Sequence, residues 1–256
     1  MTNHLLTDEP ADHFSPLAQG YVLFRPRYPR SLYDYLLAWV PQHKLAWDVG
    51  CGSGQATLDL AERFDHVVGT DISEAQIAAA PSHPRVEWRV APAEASGLAD
   101  ASVDLITCAQ SLHWFPLEAF YAEANRVLAP GGMIAAWTYG TVEVDHEAID
   151  ALVQAFRTET LGALWNPERE HVDTRYARLA FPFEEIQTPP YTLSVQWTLA
   201  QLLGYLRSWS ACGRYVAMYG SDPTEALAQK LLAVWGHPQD TVSISWPLTL
   251  RIGRKT

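Results

Sequence analysis

The residues best placed to do chemistry lie between Asp48 and Gly54, which read Asp48-Val49-Gly50-Cys51-Gly52-Ser53-Gly54. An apolar run, Leu45-Ala46-Trp47, leads in, and Leu58, Leu60, Ala61 and Phe64 follow at helical spacing. The pattern is strand, glycine loop, helix. Glycines let the chain turn sharply and let a ligand lie against bare backbone. The helix start adds unpaired N–H groups and the positive end of a dipole, which suits a nucleotide-like or carboxylate-bearing cofactor. A dinucleotide fingerprint requires a third Gly or Ala three places after the second glycine. That slot holds Gln55 counted from Gly50 and Thr57 counted from Gly52. The observed spacing is G-x-G-x-G, with an acid two residues before the first glycine.

The flanking elements carry further candidates. His66–Thr70 reads as a second buried strand ending at Asp71, where a carboxylate can accept from both hydroxyls of a ribose. Ser73, with Gln76 three residues on, is the better cap for the next helix, so Asp71 is assigned to a ligand. Val86–Val90 and Val103–Ala109 read as the third and fourth strands. Gln110-Ser111-Leu112-His113-Trp114-Phe115 leaves the fourth at its carboxyl end, where an open α/β sheet forms its crevice. His113 is the candidate general base at that crevice. Ahead of the loop, Ser31 caps a helix to about Val40, with Asp34 in the capping-box position. Beyond the hexapeptide, Pro116 opens a helix to about Leu128, Pro130-Gly131-Gly132 stops it, and Met133–Trp137 is the fifth strand.

Four segments, Asp48–Gly54, Gly69–Ile72, Val103–Phe115 and Arg126–Gly132, occur in an order and at a spacing that resemble the class I S-adenosylmethionine (SAM) methyltransferases. The likeness covers roughly residues 18 to 140 and is nearest to small-molecule enzymes of the kind that includes trans-aconitate methyltransferases. It implies an α/β, Rossmann-like fold: a seven-stranded mixed sheet flanked by helices, with an inserted helical lid. It implies SAM as cofactor. Asp48, Gly50, Gly52 and Gly54 would hold the methionyl part and the loop, with Cys51 as small filler among them. Asp71 would hold the ribose, Ile72 would lie beside the adenine, and Ala93 and Glu94 would meet its edge. Ala109, Gln110, Ser111 and Trp114 would border the cofactor, with His113 facing methyl and acceptor. In the stretch Tyr21 to Pro29, Tyr21 and Arg25 would form a flap over the methionyl end. Trp165, Trp209 and Tyr215 fall where related enzymes build the acceptor pocket. Arg126–Gly132 is a structural turn. The implied reaction is methyl transfer to a small molecule, with carboxylic acids the first acceptors to try. Two alternatives stay open: an NAD-type oxidoreductase, and a SAM-binding protein without catalysis.

Composition narrows the partners. The chain has 256 residues and a formal net charge of −11, and no Lys/Arg cluster marks a nucleic-acid partner. The three cysteines are isolated, with no C-x-x-C pair, which suits a reducing, cytoplasmic setting. No apolar run approaches about 18 residues, so no membrane span is expected, and no signal peptide is visible. His146-Glu147 is not a zinc motif, since Asp150 stands where H-E-x-x-H needs its second histidine. No metal is expected, and the state should be monomer or homodimer. The chain divides into a flap (1–30), a cofactor core (31–140), a helical lid (141–180) and a part completing sheet and acceptor pocket (181–256). In that last part Tyr191–Thr198 alternates as a strand, and Leu199, Leu202, Leu203 and Leu206 make a helical face. Asp222-Pro223 starts a helix to Trp235. Thr241–Ile252 alternates again, with a bulge or break expected at Pro247. Arg169, Arg207 and Arg214 are candidates to pair a substrate carboxylate.

Overall fold

The computed structural model describes residues 26–255. Alternating apolar sequence becomes a single sheet packed on both faces. Its parallel part contains β1 (Leu45–Val49), β2 (His66–Asp71), β3 (Val86–Val90), β4 (Val103–Ala109) and β5 (Leu128–Tyr139), in the order β3-β2-β1-β4-β5. Strand β1 pairs β2 on one edge and β4 on the other. Strand order reverses there, so the loop after β1 sits at the switch point where open α/β sheets bind ligands. Side chains alternate between two cores: Leu105, Met133, Ala135 and Trp137 enter one, while Ile106, Ile134 and Ala136 enter the other. Helix α1 (Arg30–Leu37) and α2 (Gln55–Ala61) bury apolar residues in the first core, and α4 (Leu117–Val127) fills the second through Phe120, Ala124 and Val127. Helix α3 (Glu74–Ala79) begins as expected, with the Ser73 side chain accepting from the Gln76 N–H.

The sheet has nine strands among the described residues rather than seven. The reason is the length of the last strand. After β6 (Glu143–Val144), β7 (Glu184–Ile186) and β8 (Tyr191–Trp197), β9 (Val242–Arg254) runs antiparallel and reaches four partners: β5 and β6 along one edge, β7 and β8 along the other. Nor does β9 break at Pro247, whose register with β8 is continuous. The Pro247 carbonyl accepts from the Gly140 N–H at 2.8 Å. The donor that proline lacks therefore falls opposite the gap between the end of β5 at Tyr139 and the start of β6 at Glu143, where little pairing is lost. The Pro-Gly-Gly turn is absorbed into β5 as an irregularity between Val103 and Leu105 in the register with β4. A Cβ on Gly132 would meet the Ala129 and Val103 carbonyls at 2.9 and 3.0 Å. Helix α1 differs from expectation too: it starts at Arg30 without a side-chain cap, and Asp34 pairs weakly with Arg30 at 3.8 Å instead.

A helical layer packs against β6, β8 and the turn that follows β4. It begins with α5 (Glu147–Ala155), a π-helical turn at Phe156–Thr160, a 3-10 turn at Gly162–Leu164 and the short α6 (Arg169–Asp173). Helices α7 (Leu199–Arg207), α8 (Ser210–Tyr219) and α9 (Thr224–Trp235) complete it, with α9 against both α5 and α7. The cap thus draws on two stretches of chain. Among the described residues, no helix is long and apolar enough to cross a membrane, and no group of His, Cys, Asp and Glu could hold a metal ion.

Candidate active site

The three loop glycines have different reasons to be glycine. All have positive φ, a region that costs other residues about 1 kcal/mol or more. A Cβ on Gly50 would stand 2.6 Å from the Ser111 Cβ, and one on Gly54 would stand 2.2 Å from the Trp88 ring. These two let the loop close against the protein. A Cβ on Gly52 would meet only the Gln76 side-chain oxygen, at 3.7 Å, so Gly52 is the one that presents bare backbone outward. Gln76 Oε1 is itself buried without a hydrogen-bond partner. The Cys51 thiol is buried and pushed well above its ordinary range by that burial, as a filler residue should be.

Asp48 lies beneath the loop rather than in it. Its carboxylate is wholly buried, with Thr57 Oγ1 donating to one oxygen at 2.6 Å and Thr107 Oγ1 to the other at 2.7 Å. Asp48 therefore ties β1 to α2 and β4 and holds the loop from below. Burial pushes its carboxyl up to about 6; the two hydroxyls oppose that shift and the charge of Asp71 adds to it. Asp71, at the end of β2, accepts the Gly52 N–H at 2.8 Å on one oxygen and the Ser73 N–H at 2.9 Å on the other. Both oxygens are thus engaged by backbone N–H groups at the end of β2, and a carboxylate oxygen can accept more than one hydrogen bond. Ile72 beside it is 49% exposed, a large apolar side chain with the surface an adenine ring could cover. Ala93 is buried and Glu94 exposed. Their loop is anchored from α4, where Glu123 accepts from the Ser96 N–H at 2.9 Å and from its hydroxyl at 2.5 Å. Arg126, also bonded to Glu123, holds that carboxyl down at about 2.

The exit from β4 is strained and well braced. Beyond Ala109, which pairs with Trp137 across the sheet, Gln110 has φ +61° and donates its N–H to the Trp137 carbonyl at 2.9 Å. Its side-chain oxygen accepts from Thr138 Oγ1 at 2.8 Å, while its Nε2 is buried with no partner. Ser111 Oγ donates to the Val49 carbonyl at 2.7 Å, so Ser111 braces the glycine loop instead of offering its hydroxyl outward. His113 and Trp114 lie in a 3-10 turn with their rings 4.9 Å apart. His113 Nδ1 is 2.9 Å from the hydroxyl of Tyr176. Burial, reinforced by the charges of Arg169 and His171, pushes the His113 imidazole down to about 3. Tyr176 is fully buried, and sequence does not announce it. Its partner lies far away in the chain, and the only local clue is structural: Arg175 and Tyr176 have φ of +55° and +58°.

The lid aromatics separate. Trp165 is half-buried; its Nε1 donates to the Arg157 carbonyl at 3.0 Å, and the Arg169 guanidinium lies over its ring at 4.4 Å. Trp209 is core, packed on Trp165, Tyr205 and Phe156. Tyr215 lines a separate cavity of about 330 Å³ with Phe156, Glu159 and Asp222, and none of its lining residues comes from the loops after β1, β2 or β4. Tyr21 and Arg25 lie outside the described residues. The end of their stretch does reach the site: Gln55 Nε2 donates to the Pro26 carbonyl at 2.6 Å. Tyr28 is buried edge-on against Trp137, ring centres 5.3 Å apart.

Backbone at Gly52, the Asp71 carboxylate, the exposed apolar side chain of Ile72 and the orphaned polar atoms of Gln76 and Gln110 are of the chemical types an adenosine-bearing cofactor would need. Comparison with known proteins agrees. A family model described as a methyltransferase domain matches residues 47–136. A Dictyostelium discoideum protein named as a methyltransferase is 31% identical over 250 residues, 95% of each chain. The solved structure of an Anaeromyxobacter dehalogenans protein, described as a type II methyltransferase, superimposes with a TM-score of 0.83 at 46% identity, covering 91% of this chain and 98% of that one. A phosphoethanolamine N-methyltransferase of Haemonchus contortus, solved with S-adenosylhomocysteine, shares the fold alone at 15% identity and a TM-score of 0.50, over 94% of this chain and 57% of its own. The dinucleotide alternative is thereby set aside, and the chain belongs to the class I SAM-dependent methyltransferases.

Proposed function

We propose that this enzyme methylates a small-molecule acceptor held between the exit of β4 and the helical cap. The observation that carries the reading is the cover over the exit of β4: α6 packs on the turn that bears His113, and Tyr176 is buried against that histidine. A site roofed in this way suits a small acceptor better than a macromolecular one. The Gly52 backbone and Gln110 would hold the methionyl part. Asp71 would hold the ribose, and Ile72 with the Ala93–Glu94 turn would hold the adenine. When bound, SAM supplies a methyl group on a sulfonium that departs as a neutral thioether. What the chain must contribute is alignment and exclusion of water rather than acid catalysis.

His113 fits an orienting role. Its Nδ1 and the Tyr176 hydroxyl share a hydrogen bond at 2.9 Å, which fixes the direction of the ring. When Nδ1 carries the ring proton and donates to the Tyr176 oxygen, Nε2 keeps a lone pair. With a pKa of about 3, that nitrogen is neutral at physiological pH and holds a proton weakly. It therefore suits accepting a hydrogen bond from the acceptor more than carrying its proton away. The test is S-adenosylhomocysteine release with panels of small carboxylic acids, phenols and amines. Turnover with a member of the panel sustains the reading; methylation of protein or nucleic acid with no turnover on any small acceptor overturns it.

A further inference from the structure

Three arginines and a histidine converge under the cap beside the proposed acceptor space. Arg157, from the π-helical turn, donates to Asp173 at 2.8 Å, and Arg169 approaches the same carboxylate oxygen at 3.5 Å while lying on the Trp165 ring. Arg214, from α8, donates through one Nη to the Leu164 carbonyl at 2.6 Å. Arg169 and His171 lie on α6, which packs on the turn that bears His113, so the cluster adjoins the site. Asp173 is the carboxylate that pairs with this group among the described residues, and it serves two of the three guanidiniums. By contrast Arg207 is matched by Asp222 at 2.7 Å, and Arg178 by Glu170. Three nitrogens of the cluster, Arg157 Nε, Arg214 Nη2 and His171 Nδ1, are buried with no hydrogen-bond partner. A buried guanidinium nitrogen without an acceptor is costly. Such a group is stable as part of a site whose acceptor arrives with a ligand, and planar guanidiniums match the paired oxygens of carboxylate and phosphate.

We infer that the acceptor carries an oxyanion, a carboxylate or a phosphate, which Arg157, Arg214 and His171 hold under the cap as a handle while another part of the molecule faces His113. This rests on the function proposed above and names the chemistry its acceptor must have.

The test is calorimetric titration of succinate and, separately, of inorganic phosphate into protein saturated with S-adenosylhomocysteine, for the wild type, Arg214→Met and Arg214→Lys. The expected result is binding of one of the two anions to the wild type, weakened about 10–30-fold by Arg214→Met and less by Arg214→Lys, as loss of one charge-assisted hydrogen-bonding group implies. The anion that binds tells a carboxylate handle from a phosphate handle. Absence of binding by either anion at about 10 mM, or equal binding by wild type and Arg214→Met, overturns the inference. S-adenosylhomocysteine binding in the same samples separates the two levels. If it binds and neither anion does, only the handle fails; if it does not bind, the proposed cofactor site fails first. Its retention in both variants shows that they are folded.

Discussion

Replacing Asp48 by asparagine should stabilise the fold at high pH while weakening the site. The carboxylate is wholly buried, two hydroxyls are its side-chain partners, and its pKa is about 6 in the folded chain against an ordinary value of 3.8. A group whose pKa is raised by folding contributes its stability in full below the unfolded value and loses it as pH rises through the folded one. Each pH unit between the two values is worth about 1.36 kcal/mol, so relative to low pH the titration of Asp48 costs the fold roughly 3 kcal/mol at pH 8 and about 1 kcal/mol at pH 4.5. Asparagine keeps the shape, with one oxygen to accept a hydroxyl and one NH2 to donate to the other. Other titrations cancel in the difference between variant and wild type. That difference should therefore move in favour of the Asp48→Asn variant by about 2 kcal/mol between pH 4.5 and pH 8. Urea unfolding at the two pH values reads it directly. A difference that stays constant with pH, or moves the other way, would refute the assignment of a buried, titrating carboxylate. The same variant should bind SAM more weakly, because it removes a negative charge from beneath the loop that receives a cationic ligand.

The glycines should separate by function. Gly50→Ala should destabilise the fold by about 2–4 kcal/mol through the Ser111 clash and the positive φ, and Ser111→Gly in the same chain should recover part of that loss in urea unfolding. Gly52→Ala meets only Gln76; it should cost about 1 kcal/mol of stability yet lose most cofactor affinity by calorimetry, and full affinity would show that Gly52 does not face the ligand. His113, whose pKa is depressed to about 3, contributes stability that is complete above about 6.5 and lost as pH falls toward 3, by at most about 1.4 kcal/mol for each pH unit. The His113→Gln variant should therefore show a flatter acid limb, and an unchanged limb would contradict the buried neutral imidazole.

Local pattern carries much of this site. The Asp48–Gly54 loop, the acid closing β2, the Ser73 cap and the hexapeptide after β4 are short-range signals, and each lies where its spacing implies. What stays illegible depends on contacts between distant residues. No local pattern says that Gly54 makes room for Trp88, that Ser111 spends its hydroxyl on Val49, or that Tyr176 reaches His113. The arginines make the point most sharply. Arg207 and Arg214 look alike in sequence, yet one meets Asp222 while the other keeps a buried nitrogen unpaired. Arg157 and His171 join the cluster only because a π-helical turn and a short helix bring them together. Pro247 departs from expectation for a related reason: the rule for central strands implies a break, but the missing donor faces a gap between two partners.

The central claim, that the Gly52–Asp71 cradle holds the adenosine cofactor, is tested most directly by calorimetric titration of S-adenosylhomocysteine into wild type and Asp71→Asn. The substitution should weaken binding by about 2–3 kcal/mol, roughly 30–150-fold, through loss of charge-assisted hydrogen bonds to the ribose. Its effect on urea unfolding should be smaller, since the Gly52 and Ser73 N–H groups can turn to water. Equal affinity in the two proteins, with both folded, would place the ribose elsewhere and contradict the account.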